Sequence, residues 1–509
     1  MNPRYLSFLL VLSLFVGASD CYASNDGSPD PVALRMAIED LIETFGDEYP
    51  DGESFLTELD ALESASDAPD FASKLFDLQK RATLANPLLG ERRVLAIKRG
   101  ANQIATPTLN AYVTEDVPKN IASQIVSIDP STGAYDVLFD SDGKTIVDTD
   151  LEFDANRLMF TAPGANGRWA LHELALDAVG KSVGVKQLSP DMDEIDFFDS
   201  CYLPDGDVVY GSNATFQGLP CESGRKQMAL LYRMNPETKE IRQLTFEQDS
   251  DWCPTMMENG RVMYLRWEYT DTPHFFYRIL FTMNPDGTNQ TAYYGSNSYW
   301  PNSLFYAKPI PGDPARFVGT VSGHHVGRPG RLILFDPRLG RHETEGVVQS
   351  IPGREDVVEN EIQDYLYQNR WPKFLQVDPL GTSEEDGAGR YFLVSANRGD
   401  GWGIWLVDIF DNMTPILLEK DAAFTDPILL TPRKRPPVLS ERTNPNQKDA
   451  SVFLADVYFG AGLPDVPRGT IKSLRVFEYH FAYPFSGHND VIGIESSWDV
   501  KRVLGTVPV

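Results

Sequence analysis

The chain has 509 residues, and its 42% hydrophobic and 11% aromatic content is ample for a packed core. Its formal net charge of −28 argues against nucleic acid or anionic membrane as a partner, because both repel an acidic surface. That charge suits a soluble extracytoplasmic protein, or docking to a basic partner such as a cytochrome. By length alone the chain would hold two to four domains, unless one is a large closed β-architecture.

Residues 1–23 read as a secretory signal peptide. Arg4 supplies the positive start, Tyr5–Gly17 is an apolar run too short to span a bilayer, and Cys21-Tyr22-Ala23 offers cleavage after Ala23. The expected location is therefore secreted or periplasmic, without membrane insertion. Cleavage would leave Cys201, Cys221 and Cys253. Three cysteines in an oxidising compartment imply one disulfide and a free thiol, buried thiols, an intermolecular bond or a metal site. Their spacing matches no zinc motif.

Residues 24–90 form a helical N-terminal segment. Leu34, Ile38, Leu41, Ile42 and Phe45 share one face at three- and four-residue spacing, and Phe71, Leu75 and Leu78 repeat the pattern. From 91 to 431 the grammar is of strands, recurring at roughly fifty residues as a propeller does. The clearest blade, Asp199–Thr245, turns at Leu203-Pro204-Asp205-Gly206 and at Asn235-Pro236-Glu237 and ends in Arg242-Gln243-Leu244-Thr245. Val94–Arg99 lacks a preceding strand and Asp426–Leu430 lacks a following one, so pairing them would close the ring and remove exposed edges. The fold class is all-β: a six-bladed propeller, with seven blades the alternative. Residues 432–509 read as a basic, proline-rich strap followed by a β-rich tail, a truncated middle domain.

Within the propeller, Asp249–His325 is unusually rich in functional side chains. Arg266, Glu268, Tyr269, Asp271, His274, Tyr299, Trp300, Asn302, His324 and His325 crowd a stretch where a plain strand would alternate. They are the candidate binding residues, expected to converge on one mouth of the propeller. His324, His325 and Cys253 are metal-ligand candidates, and Asp271 beside His274 could set a tautomer for proton transfer. The competing reading makes each a satisfied structural group: adjacent histidines on a strand point to opposite faces, and aromatics between blades are more often core. Asp249, Asp251, Asp271 and Glu268 could gather oxygen ligands for calcium, but their spacing fits no EF-hand loop. No nucleophile elbow, P-loop, zinc-protease motif or dinucleotide fingerprint occurs. Catalytic residues are not assignable.

The blade ending in RQLT resembles the TolB-type propeller repeat. Longer motifs, among them FQGLPC, QLTFEQDSDWCPT, RWEYTDTPHFF, YYGSNSYWPNS, LFDPRLGRHE and WDVKRVLGTVPV, resemble the hydrazine synthase alpha-subunit-related family. That resemblance implies secretion, a six-bladed propeller, and haem-bearing regions before and after it. This chain has no C-x-x-C-H, so no covalently attached haem is expected; a metal ion, or haem supplied by a partner, stays open. The function expected is a secreted binding or scaffold propeller beside periplasmic cytochromes or redox-complex subunits. The alternative is a subunit of a multi-haem redox enzyme whose haems sit on a missing domain or second chain.

Overall fold

The computed structural model describes residues 29–509 other than 107–116, 219–225, 248, 269–277, 296–297, 445, 450, 460–462, 464 and 481–499. Three helices come first: α1 (Pro31–Phe45), α2 (Gly52–Glu63) and α3 (Phe71–Leu84). Asp30 caps α1 by accepting the Val32 amide at 3.1 Å, and Pro31 occupies the first turn, where its missing N–H costs nothing. The spacing of Leu34, Ile38 and Leu41 buries all three, each contributing about 2 kcal/mol of apolar transfer energy.

The strands that follow group into six four-stranded antiparallel units, named blades 1 to 6 in ring order. Blade 1 joins Ala422–Leu429 to Val94–Gly100, Ser123–Ile128 and Tyr135–Asp140; blade 2 runs from Val147–Leu151 to Ser182–Gln187. Blade 3 spans Phe197–Tyr202 to Ile241–Gln243, and blade 4 spans Asp251–Met256 to Thr291–Tyr294. Blade 5 spans Ser303–Pro309 to Val347–Ile351, and blade 6 spans Lys373–Pro379 to Met413–Leu417. The first strand of each lies innermost, touching the innermost strands of the blades on either side until blade 6 meets blade 1. The chain is a β-propeller.

Closure uses the two orphan strands of the sequence. Val94–Gly100 pairs with Ala422–Leu429 in the register Val94↔Leu429 and Gly100↔Ala422, so blade 1 draws its innermost strand from the far end of the propeller and no open edge remains there. The helices dock on blades 6 and 1. Gln79 Nε2 donates to the Met413 carbonyl at 3.0 Å, Asn412 Nδ2 to the Ala33 carbonyl at 2.9 Å, and the Tyr391 hydroxyl to Asp40 at 2.6 Å.

Beyond Leu429 a strap runs over the turns of blades 2 to 4. Arg433 N donates to the Phe153 carbonyl at 2.7 Å, Arg435 pairs with Glu152 at 2.6 Å, and Arg442 N donates to Asp286 at 2.6 Å. Farther on, Ser473–His480 and Val500–Pro508 pair as a two-stranded antiparallel sheet.

Candidate functional site

The innermost strands enclose a central channel with a cavity of about 90 Å³, room for a few waters or the head of a small ligand. It opens into a wider mouth of about 210 Å³, lined by Phe153, Met256, Leu380 and the strap residues Thr431–Lys434. Asp150, Thr255, Lys308, Asp378 and Arg433 belong to both.

One backbone device builds the lining. The innermost strand of every blade breaks register with its neighbour, as between Val147 and Thr149, Phe198 and Cys201, Trp252 and Thr255, and Phe305 and Lys308. At the break, five blades hold a non-glycine residue in the left-handed region: Asp148 (φ 37°), Asp199 (φ 50°), Cys253 (φ 50°), Tyr306 (φ 53°) and Asp426 (φ 57°). Glycine is the usual occupant of such bulges, and Asp is among the few side chains that tolerate them. All five residues line the cavity, and Gln376 lines it from blade 6.

Carboxylates then staple one blade to the next. Asp148 Oδ2 accepts the Asp199 amide at 3.0 Å, and Asp199 Oδ2 accepts the Cys253 amide at 2.6 Å. One layer toward the mouth, Asp150 Oδ2 accepts the Tyr202 amide at 2.9 Å and Asp378 Oδ2 accepts the Leu429 amide at 2.8 Å. Burial raises all five channel carboxyls above their ordinary values. At Asp148 the nearby Asp199 charge adds to burial in raising the carboxyl.

The cations sit differently. Arg99 spends its guanidinium on Thr425 Oγ1 at 2.7 Å and the Ile146 carbonyl at 2.5 Å, and burial pulls its pKa down to about 10. Arg328 reaches the Tyr306 hydroxyl only at 3.4 Å and Cys253 Sγ at 4.0 Å, while Lys308 Nζ lies 3.4 Å from Thr255 Oγ1. Burial pushes the Cys253 thiol up to about 12, so it stays protonated at neutral pH. Among the described residues, one of the five channel carboxylates meets a basic nitrogen within 4.0 Å: Asp150, from Arg433 at that limit.

The residues singled out in the sequence lie mostly elsewhere. Arg266 is buried against Asp251 (3.2 Å), Glu247 (3.1 Å) and Gln290 (2.7 Å), with its guanidinium 4.2 Å from the Phe281 ring centre. Its neighbour Trp267 turns to the other face of the strand, stacking on Trp252 at 6.4 Å and meeting the His324 ring edge-on at 5.5 Å. Arg266 and His324 therefore do not converge, because strand alternation separates them. Buried Arg278 completes the second cluster, 5.2 Å from the Trp267 ring centre, donating to Ser303 Oγ at 2.7 Å and the His324 carbonyl at 3.1 Å.

His325 Nδ1 lies 2.7 Å from Asp364 Oδ2, and the two histidine rings stand perpendicular, 4.4 Å apart. The amides of Tyr299 and Trp300 donate to the Glu343 carboxylate at 2.9 and 3.2 Å, and Asn302 Nδ2 donates to the Gln363 carbonyl at 3.1 Å. Glu268 follows the second strand of blade 4, half-buried. Tyr269, Asp271, His274 and Cys221 lie outside the described residues. Cys201 and Cys253 are free thiols. Cys253, on the channel, and the His324–His325 pair, packed on Trp267 and Asp364, have separate surroundings. Among the described residues no three His, Cys, Asp or Glu side chains are arranged to hold a metal ion. Cys201 is buried in blade 3, and neither it nor Cys253 belongs to a C-x-x-C-H sequence.

The missed residues carry a faint signal. Asp148 and Asp199 are 51 residues apart, and Asp199 and Cys253 are 54 apart, so the lining follows the blade period itself. Only knowledge of the bulge would have shown that these positions face inward.

No family model matches the chain, and no curated protein does. Among solved structures it is similar to hydrazine synthase of Kuenenia stuttgartiensis, with TM-score 0.52 and 15% identity over 69% of this chain and 48% of that one. TolB from Acinetobacter baumannii aligns with TM-score 0.43 and 8% identity, over 72% of this chain and 73% of that one. The chain spans about half the length of the hydrazine synthase chain. At such identity the likeness to hydrazine synthase is one of fold, the β-propeller.

Proposed function

We propose that this chain is an exported binding and scaffold propeller whose ligand site is the central channel and its strap-lined mouth. The observation that carries the reading is the charged lining: buried carboxylates and the cations Lys308 and Arg328 share one cavity with almost no direct pairing. Buried charges left apart are costly unless water or a ligand bridges them. A structural core would have been cheaper to build from apolar residues. Screening small polar molecules by thermal shift tests this, with Lys308→Met as the control for location. Hits on the intact protein that vanish in the variant support the reading; hits that persist place the site elsewhere.

The same reading puts the propeller beside redox partners that bring their own haem, consistent with the family resemblance of its motifs. A surface of net charge −28 would dock a basic cytochrome by long-range attraction. Recovering the tagged protein from periplasmic extract at low and high salt tests it. A haem Soret band that co-purifies at low salt and is lost at high salt is the expected result.

A further inference from the structure

Carboxylates reach the channel from blades 1, 2, 3 and 6, with Arg99 on blade 1 and Arg433 on the strap, while the charged groups from blade 5 are cations alone. Lys308 and Arg328 both belong to blade 5, Lys308 on its innermost strand and Arg328 in the loop after its second strand. In a ring of six, blade 5 faces blade 2, whose innermost strand contributes Asp148 and Asp150 to the cavity wall. A narrow low-dielectric channel thus sets the blade 5 cations opposite the blade 2 carboxylates, and among the described residues neither Lys308 nor Arg328 is ion-paired to a carboxylate.

The blade 5 cations and a blade 3 hydroxyl keep unused capacity. Lys308 has a single long polar contact and Arg328 two, although the Arg328 guanidinium also lies 5.0 Å from the Phe305 ring centre. Ser200, 8% exposed, also lines the cavity, and its hydroxyl has no hydrogen-bond partner among the described residues. An unmet buried hydroxyl in a native structure calls for a ligand or water. Toward the mouth the walls turn apolar, with Phe153, Met256 and Leu380.

We propose that the channel binds a small zwitterion of the amino-acid class, its ammonium facing Asp148 and Asp150, its carboxylate facing Lys308 and Arg328, and any apolar remainder lying in the mouth. The inference rests on the channel being the ligand site. A simple cation would leave the blade 5 wall unmet, and a simple anion the blade 2 wall. A zwitterion answers both fields at once, and an uncharged polar molecule answers neither fully.

The test is calorimetry and thermal shift on the full chain with glycine, β-alanine, 4-aminobutyrate and leucine, beside acetate and ethylammonium as the separated halves. The expected result is saturable binding of at least one zwitterion, with neither half matching it at equal concentration. Leucine should exceed glycine if the mouth takes the apolar part. Lys308→Met and Asp150→Asn should each weaken that zwitterion by about thirtyfold or more. Asn at 150 can still accept the Tyr202 amide, and the ligand series on the unaltered protein stands even if a variant folds poorly. Absence of zwitterion binding, equal binding of a half, or undiminished binding in both variants would overturn the proposal. A wider screen of sugars, acids and amines separates the two ideas. A hit lost in Lys308→Met while zwitterions fail sinks the ligand class and leaves the channel as the site; no hit sensitive to that change sinks both.

Discussion

Asp148 and Asp199, 51 residues apart in sequence, meet through the Asp199 amide, which donates to Asp148 Oδ2 at 3.0 Å. Thr161 Oγ1 donates to the other Asp148 oxygen at 2.8 Å. The contact joins blade 2 to blade 3 and sets two carboxyl groups side by side at the channel wall.

That arrangement has a pH signature. Burial first, then the Asp199 charge, raises the Asp148 carboxyl above its ordinary value. A raised acid stabilises the fold fully below the unfolded value of about 3.9, and that contribution fades as pH climbs through the folded one. Asp148→Asn can keep both hydrogen bonds by accepting from the Asp199 amide and donating to Thr161. Its melting temperature should gain on the natural protein as pH rises above that unfolded value. A constant difference between the two melting curves across that window would rule the account out.

Arg278 should be among the least replaceable residues between blades 4 and 5. It is fully buried, stacks near Trp252 and Trp267, and donates to Ser303 and to the His324 carbonyl. Arg278→Ala leaves those acceptors unmet beside a void, a loss of about 3 kcal/mol or more in urea unfolding. Arg278→Lys should recover little of it, because an ammonium lacks the planar face that stacks on indole.

Asp40 tests whether the helices are part of the folded unit. It accepts from the Tyr391 hydroxyl and pairs with Arg390 on blade 6. Asp40→Ala should cost about 1–3 kcal/mol. Hydrogen exchange should quicken in Pro31–Phe45 more than in the inner strands of blades 2 to 4. Equal quickening everywhere would mean that the helices and the ring open only together.

Phe424 tests the closing strand. It is fully buried, with its ring 5.7 Å from Tyr135 across blade 1. Phe424→Ala should cost about 3–5 kcal/mol. The variant should also aggregate on mild heating, because a loosened Ala422–Leu429 bares the edge of Val94–Gly100. Light scattering alongside the melt reads both effects.

The architecture was legible in the sequence because turn chemistry and strand alternation are local. The Leu203–Gly206 turn and the unpartnered Val94 strand each pointed to their place in the ring without any knowledge of distant contacts. The site was not legible in the same way. Arg266 and His324 stood out by residue type, yet they are interior groups of the packed blades. The channel aspartates looked ordinary, each alone in its strand. What marks them is a one-residue bulge recurring at one depth, and a bulge has no reliable residue code when Asp, Cys and Tyr can all occupy it. Among the described residues singled out in Asp249–His325, only Cys253 lines the channel, although unremarked Thr255, Tyr306 and Lys308 from the same stretch also do.

The strap that leaves Leu429 carries a consequence for how the mouth behaves. Its first residues form the lip of the mouth, and the strand just before them locks the ring. A ligand that grips the lip binds the closed ring in preference to the opened one, and so stabilises closure. Resistance of the ring to opening should therefore rise with occupancy of the mouth.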